Sequence, residues 1–406
     1  MSYSQSPNPQ PAGDGALAGV RVLDLTHFVA GPAATMALAF MGAEIIKVER
    51  PGVPRDGAFR RSVIDVNKKS ITLDLKSAAG KQTALDLAKQ CDVFIENFSP
   101  GVIDRLGLDY ETVSAVNPRI IYAQVKGYAS DSPYAGFPCF EPAAQAFAGS
   151  TSFTGMPDGP PIKPGPDLAD NGSGLLMAMG ITAALYQRQR TGRGQHIEVA
   201  MTDHVSTFIR IHYGWPIDLG QPTPRPGNWV PFTQKIAPAE AYPCKPFGPN
   251  DWLFMHVSSN AQWHGLLKVI GREELKDDPR FASPLTRGEH RNETNQVVSE
   301  WLRGKTKIEA MEALCRAGVP AGAVRDTQEV LNDADLRRRG IFVTVNDPER
   351  GEITIPGWPI ATSEGRLAVR AAPTPGAHNG EVLGGLLGLS EEQIRALTQP
   401  EEIAKE

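Results

Sequence analysis

The sequence predicts an α/β protein with a mainly parallel sheet, joined to a smaller α+β unit. Strand-like and helix-like patterns alternate through the first half, and a Pro- and Gly-rich stretch at 216–249 separates that half from a run of helical patterns. The length agrees, since 406 residues exceed what one compact core organises well. With 41% hydrophobic and 21% charged residues, the chain has the composition of an ordinary globular protein.

Each element rests on its own pattern. Residues 20–25 (VRVLDL) are β-rich and lead into a small-residue segment, 31–41, with helical potential. Residues 43–48 (AEIIKV) form a second strand and 70–75 a third apolar alternation; 78–90 has helical spacing, and 92–98 and 120–125 read as buried strands. The clearest helix is 172–190, where Leu175, Met179, Ile181 and Leu185 recur at helical spacing before a basic, glycine-closed end at 189–194. A strand at 195–200 (QHIEVA) follows. These elements divide the chain into a large domain at 16–215, a linker at 216–241, a small domain at 242–335 and a C-terminal part at 336–406. The small domain carries helical patterns at 262–270, 291–302 and 307–317, and the last part ends in a helix near 390–398. Residues 1–15, rich in Ser, Pro and Gln, read as a disordered leader without the apolar core of a signal peptide.

Composition also excludes function classes. The net charge is −5 and the basic residues are scattered, which gives nucleic-acid binding no electrostatic footing. No run of eighteen apolar residues is present to span a membrane. Arg60 with Arg61, Lys68 with Lys69, and Arg337 to Arg339 read as solvated faces, with phosphate binding as the sharper alternative. Cys91, Cys139, Cys244 and Cys315 form no C-x-x-C pair, which argues against structural zinc and disulfides and fits a cytoplasmic protein. The P-loop, nucleophile-elbow, zincin and dinucleotide fingerprints are all missing.

Two segments remain as candidates for chemistry. The loop 26–32 (THFVAGP) sits at the carboxyl end of the first strand, where open α/β sheets bind ligands. Within it His27, taken alone, reads as a structural histidine, and Arg50 reads as a surface residue closing the second strand. Asp170, in the string LADNGSG, stands just before the strongest helix, where a helix-capping aspartate is the ordinary reading. The flanking glycines cost helix stability, and close approach of a ligand to the backbone is one reason to keep them. A carboxylate held ionised by a helix N-terminus suits a nucleophile.

Five strings then carry a resemblance: VRVLDLTHFVAGP (20–32), GAEIIKVERPG (42–52), NKKSITLDLK (67–76), DVFIENFSPGVIDRLGLDY (92–110) and TGRGQHIEVAMTDHV (191–205). Their order and spacing resemble the family III CoA-transferases, which include formyl-CoA transferase and carnitinyl-CoA transferase. The C-terminal half matches more loosely, through DPRF (278–281) and GVPAG (318–322). The resemblance implies a Rossmann-like large domain plus a smaller α+β domain, in an interlocked homodimer of ring-like subunits. It places the catalytic aspartate on Asp170. Coenzyme A contacts fall on His27, Val29, Ala30, Arg50, Leu73, Asp74, Leu75, Lys76, Asn97, Phe98, Ser99 and Arg105. A substrate pocket is implied at Val29, Phe140 and Glu141. Oxyanions formed in the reaction would find candidate donors in the backbone N–H groups from Asn171 and Gly172 to Gly174, or in those of His27 to Ala30.

The implied reaction moves coenzyme A from an acyl-CoA, succinyl-CoA by family habit, to a free carboxylic acid through an aspartyl-CoA thioester. Coenzyme A enters as substrate and product; no metal and no tightly bound cofactor is expected. One rival is a 2-methylacyl-CoA racemase, which would need a histidine where Phe140 stands. Another is a non-catalytic acyl-CoA-binding protein, for which Asp170 in its glycine context has no purpose. Departures from the formyl-CoA/oxalate enzymes bear on the acceptor. Those enzymes carry a glutamine at the position of Val29, a tyrosine at Phe140, a lysine at Pro138 and a glycine-rich lid, whereas 224–248 here has no glycine run. These differences argue against oxalate and for a larger, more apolar acid.

Overall fold

The computed structural model describes residues 14–52, 62–229, 236–363 and 365–398. The leader up to residue 13, the pair Arg60 and Arg61, and residues 230–235 of the glycine-poor segment lie outside them. The described residues divide into two compact units, one made of residues up to Ser150, Lys163–Arg210 and those from Ala334 onward, the other of Thr151–Ile162 and Ile211–Asp333.

The first unit is built on six parallel strands: β1 (Arg21–Asp24), β2 (Glu44–Glu49), β3 (Lys69–Thr72), β4 (Val93–Glu96), β5 (Ile121–Lys126) and β6 (Gln195–Ala200). Their order is β3-β2-β1-β4-β5-β6. Strands covered on both faces read as near-continuous apolar runs, which is how the buried segments Ile45, Ile46 and Val93 to Ile95 look. The chain leaves β1 to one side and β4 to the other, so a crevice opens between the carboxyl ends of those two strands.

The helix Leu168–Thr191 begins four residues earlier than its apolar periodicity suggested. Asp167 takes the N-cap position, so Asp170 is not a cap and lies within the first turn. The glycines around it serve packing. A Cβ on Gly172 would stand 2.2 Å from His204 Nε2, and one on Gly174 would stand 2.5 Å from the Ala30 carbonyl and 2.7 Å from Ala33 Cβ. The close approach that they permit is that of the helix Ala30–Phe40 and of His204, not that of a ligand.

Charge is buried beneath the loop after β1. Asp24, fully buried, lies 3.3 Å from Lys68 Nζ and 3.5 Å from Lys47 Nζ and accepts from the hydroxyls of Thr26 and Thr35. Burial alone would raise its carboxyl; the two ammonium groups and the two hydroxyls outweigh that and hold it well below the carboxylate range. The expectation of a solvated face at Lys68 and Lys69 therefore fails. Lys68 is enclosed between Asp24 and Asp65, and Lys69 bridges Glu44 and Glu381. Arg338 and Arg339 do sit on the surface, both paired with Asp335.

The second unit has an antiparallel sheet of β7 (Ala239–Pro243), β8 (Trp252–His256) and β9 (Ala321–Ala323), with the helices Asn260–Ile270, Arg291–Leu302 and Lys307–Arg316 packed around Trp263, Leu266, Val298 and Leu314. Side-chain caps at Ser259 and Thr306 start two of those helices. The segment 216–241 is less of a linker than its Pro and Gly content suggested. The helix Gly214–Leu219 runs into it and β7 begins inside it.

The tail then adds the hairpin β10 (Phe342–Asp347) and β11 (Gly351–Pro356), whose Val345 and Ile355 pack with Phe40 and Val66. Edge strand β3 is closed by the tail as well: Ser70 N–H donates to His378 Nδ1 and Thr72 N–H to Asn379 Oδ1, while Val382 and Leu383 enter the core.

Candidate active site

The loops that follow β1, β4 and β5 meet at the crevice. Asn97, just past β4, ties the first two together: its Oδ1 accepts from His27 N–H at 2.7 Å and its Nδ2 donates to the His27 carbonyl at 2.8 Å. Phe28 takes a left-handed backbone conformation, φ 61°, rare for a side chain of that size, and its ring is exposed. Glu96, the last residue of β4 and fully buried, accepts from Phe98 N–H at 2.7 Å and from Lys126 Nζ at 2.6 Å. Lys126 ends β5, and Gly127 beside it leaves room for Cys139, whose Cβ would be 2.2 Å from any Cβ added there.

These segments enclose a cavity of about 200 Å³ with Asp170 in its wall. One side is polar, from His27, Asn97, Ser99 and Lys126; the other is aromatic, from Phe28, Tyr128, Phe137 and Phe140. Phe28 and Phe140 meet edge to face at 5.8 Å, and Tyr128 meets Phe137 the same way at 6.5 Å. Behind Asp170, the buried Glu141 accepts from the Asp170 backbone N–H and from Gln145, which fixes the first turn of the long helix.

His27 is held low, at about 4, first by lost hydration among its neighbours and then by the Lys47 ammonium. The residue itself is exposed at the mouth of the loop. It is neutral at physiological pH. Burial pushes the Cys139 thiol up, against its bond with Tyr128, and the carboxylates of Asp170 and Glu141 add to the rise. Among the described residues no cluster of three His, Cys, Asp or Glu is placed to hold a metal ion, and no helix is long and apolar enough to cross a membrane.

Of the residues singled out in the sequence, the cavity wall gathers His27, Ala30, Asn97, Phe98, Ser99, Phe140 and Asp170. Others lie elsewhere. Val29 is the N-cap of the helix Ala30–Phe40 and its neighbour Phe28 takes the wall position instead. Leu73 packs in the core and gives its N–H to Glu49, so only its carbonyl is left for a ligand. Arg50, Asp74, Leu75, Lys76 and Arg105 follow the carboxyl ends of β2, β3 and β4 without lining the cavity. The oxyanion candidates at the helix start fare worst. Asn171 N–H is spent on the Asp167 carbonyl, and Gly172 continues that helical pattern. Lys126, Tyr128, Phe137 and Cys139 were missed. Lys126 had a usable signal, a cation one residue past a buried strand; the other three lie on a loop with no periodicity.

The model of CoA-transferase family III matches residues 17–379. The chain belongs to that family. A formyl-CoA:oxalate CoA-transferase of Streptomyces coelicolor is 39% identical over 406 residues, covering 94% of this chain and 98% of its own. Its counterpart in Bradyrhizobium sp. strain ORS 278 is 37% identical over 409 residues, covering 93% and 95%. Among solved structures, a CAIB/BAIF family protein from Brucella suis superposes with a TM-score of 0.81 at 29% identity, covering 92% of this chain and 99% of its own. Rv3272 from Mycobacterium tuberculosis follows at 0.78 and 29%, covering 93% and 100%. As a family III enzyme the protein is a CoA-transferase, and coenzyme A is its substrate.

Proposed function

We propose that this enzyme passes coenzyme A from an acyl-CoA to a free carboxylic acid with Asp170 as covalent carrier. The supporting observation is the position of Asp170 in the wall of a cavity at the strand-order reversal, facing loops that other anion and cofactor sites of this sheet type also use. The carboxylate attacks the thioester carbonyl and expels coenzyme A thiolate, leaving a mixed anhydride. The thiolate then attacks the Asp170 acyl carbon, releasing the first acid and leaving an aspartyl-CoA thioester. An incoming carboxylate reverses both steps. Glu141 holds the backbone of Asp170 in place throughout. Arg50, Lys76 and Arg105, exposed at the same edge of the sheet, are suited to the nucleotide phosphates.

The interlocked homodimer belongs to this reading too. Leu175, Met179 and Tyr186 leave an exposed apolar face on the long helix that a second subunit would cover. Four free cysteines fit a cytoplasmic setting.

The aromatic wall favours an acid with a hydrocarbon or aryl body, which gains about 25 cal/mol for each Å² of apolar surface buried. A second reading, formyl-CoA with oxalate, is favoured by the names of the relatives. Incubation with succinyl-CoA or formyl-CoA and a panel of acids, followed by mass spectrometry of the new thioesters, separates the two. Branched or phenyl-substituted acids are expected to outcompete oxalate; preference for oxalate would make the second reading the correct one.

A further inference from the structure

Transfer between two acids has an electrostatic difficulty. The free acid arrives as an anion, at a site whose own reactive group is a carboxylate, and like charges at short range repel strongly where water is sparse. A cation in the wall, able to donate a hydrogen bond to the arriving carboxylate, would offset that repulsion. Among the described lining residues Lys126 is the sole lysine or arginine, and His27 is neutral.

Lys126 is unusually well held. Its ammonium donates to Glu96 Oε1 at 2.6 Å and to the Phe98 carbonyl at 3.3 Å, which accounts for two of its three N–H groups. Its side chain is 15% exposed and Glu96 is fully enclosed. Glu96 is itself immobilised, since it also accepts from Phe98 N–H and from Gln124 Nε2, and Gln124 Oε1 is bonded to His196 Nε2 at 2.7 Å. A carboxylate that accepts three hydrogen bonds, one of them from a glutamine that is itself tied to His196, is a rigid mount for the lysine, and that rigidity is what a binding cation needs to discriminate by position.

We propose that Lys126, oriented by Glu96, receives the carboxylate of the free acid beside Asp170 and sets the affinity for that acid, separately from the groups that hold coenzyme A. The assignment rests on the transferase reading above. It gives the polar side of the cavity a specific task, and it leaves the aromatic side to recognise the body of the same acid. Glu96 is then a positioning residue, acting through Lys126.

The test is two-substrate kinetics on Lys126→Met and Lys126→Arg in the full-length enzyme, with the acid found best in the panel above. Loss of a charge-assisted contact predicts a KM for the acid raised roughly 10- to 100-fold. The KM for the acyl-CoA should stay within about twofold, and arginine should restore most of the loss. A second measurement follows the Asp170 adduct formed from acyl-CoA alone, which Lys126→Met should still build and fail to discharge to the acid. An unchanged acid KM, an equal rise in the acyl-CoA KM, or loss of adduct formation in Lys126→Met would each overturn the assignment. Absence of an Asp170 adduct in the wild type would instead count against the transferase mechanism itself.

Discussion

The two sides of the cavity are built by different physics. On the polar side nearly every group has a directed partner: Asn97 grips both backbone groups of His27, and Glu96 grips Lys126 and the Phe98 backbone. Further down, Asp24 accepts from Thr26 N–H at 2.9 Å while Lys47 donates to the Thr26 carbonyl, so the loop stands on a buried ion cluster. On the aromatic side Tyr128 and Phe137 belong to a ring cluster with Tyr134 and Phe147, whose members touch by ring edges and tilted faces at 5.0–6.5 Å. Directed bonds fix geometry and tolerate little change, whereas ring contacts let one side chain be swapped for another of similar size. The difference teaches where a family can vary. What every turnover shares, coenzyme A and the carboxylate of the acid, is best met by the rigid side, and the variable body of the acid by the adaptable one.

The comparison breaks most visibly if the foundation of the polar side is removed. Asp24→Asn leaves two buried ammonium groups short of a carboxylate and is expected to cost about 3–5 kcal/mol of stability. The carboxyl of Asp24 is held low in the folded state. Its stabilisation is therefore present above about pH 4, the ordinary aspartate value, and is lost as pH falls below it. Urea titrations should show the gap between wild type and variant narrowing under acid conditions; a gap independent of pH would show that the cluster is not what supports the loop.

A smaller effect follows from Asn97→Ala, which removes both bonds to His27. These bonds are solvent-exposed, so the loss is about 1–2 kcal/mol and should appear as a roughly tenfold rise in the KM for acyl-CoA. Stopped-flow or steady-state kinetics with two different acids checks it. The rise should be the same for both, because the polar side meets only what the two reactions share, coenzyme A and the carboxylate of the acid; a rise that depends on the body of the acid would erase the distinction between the sides.

The mildest change sharpens the other half. Phe140→Tyr combined with Val29→Gln is expected to shift preference toward small diacids by severalfold, most of it from Phe140. Val29 caps a helix outside the wall, so Val29→Gln alone should do little. Competition assays with oxalate and a phenyl-substituted acid decide it. A large effect from Val29→Gln alone would contradict the placement of that residue.

Much of this was legible in the sequence because the first unit obeys local rules. The strand patterns at 20–25, 43–48, 120–125 and 195–200 all fall on strands, and the strand–helix rhythm required a parallel sheet. What failed did so for tertiary reasons. The glycines beside Asp170 looked like a ligand's approach, yet Gly172 and Gly174 are set by His204 and by Ala30 and Ala33 from remote parts of the chain. Lys68 looked solvated because nothing near it in sequence announces that Asp24, forty-four residues earlier, will be its partner. Likewise Tyr128 and Phe137 join the cavity only because Gly127 lets the following loop fold back on it.

The central step of the proposed mechanism is the transfer of coenzyme A to Asp170. The direct measurement is mass spectrometry of the enzyme quenched during turnover, with and without hydroxylamine. A coenzyme A adduct on the peptide bearing Asp170 is expected in the wild type, replaced by a hydroxamate at that residue when hydroxylamine is present. Asp170→Asn should show neither and lose at least 10³-fold in rate, while keeping its melting temperature. An adduct on another residue, or an Asp170→Asn enzyme of near-normal activity, would contradict the mechanism.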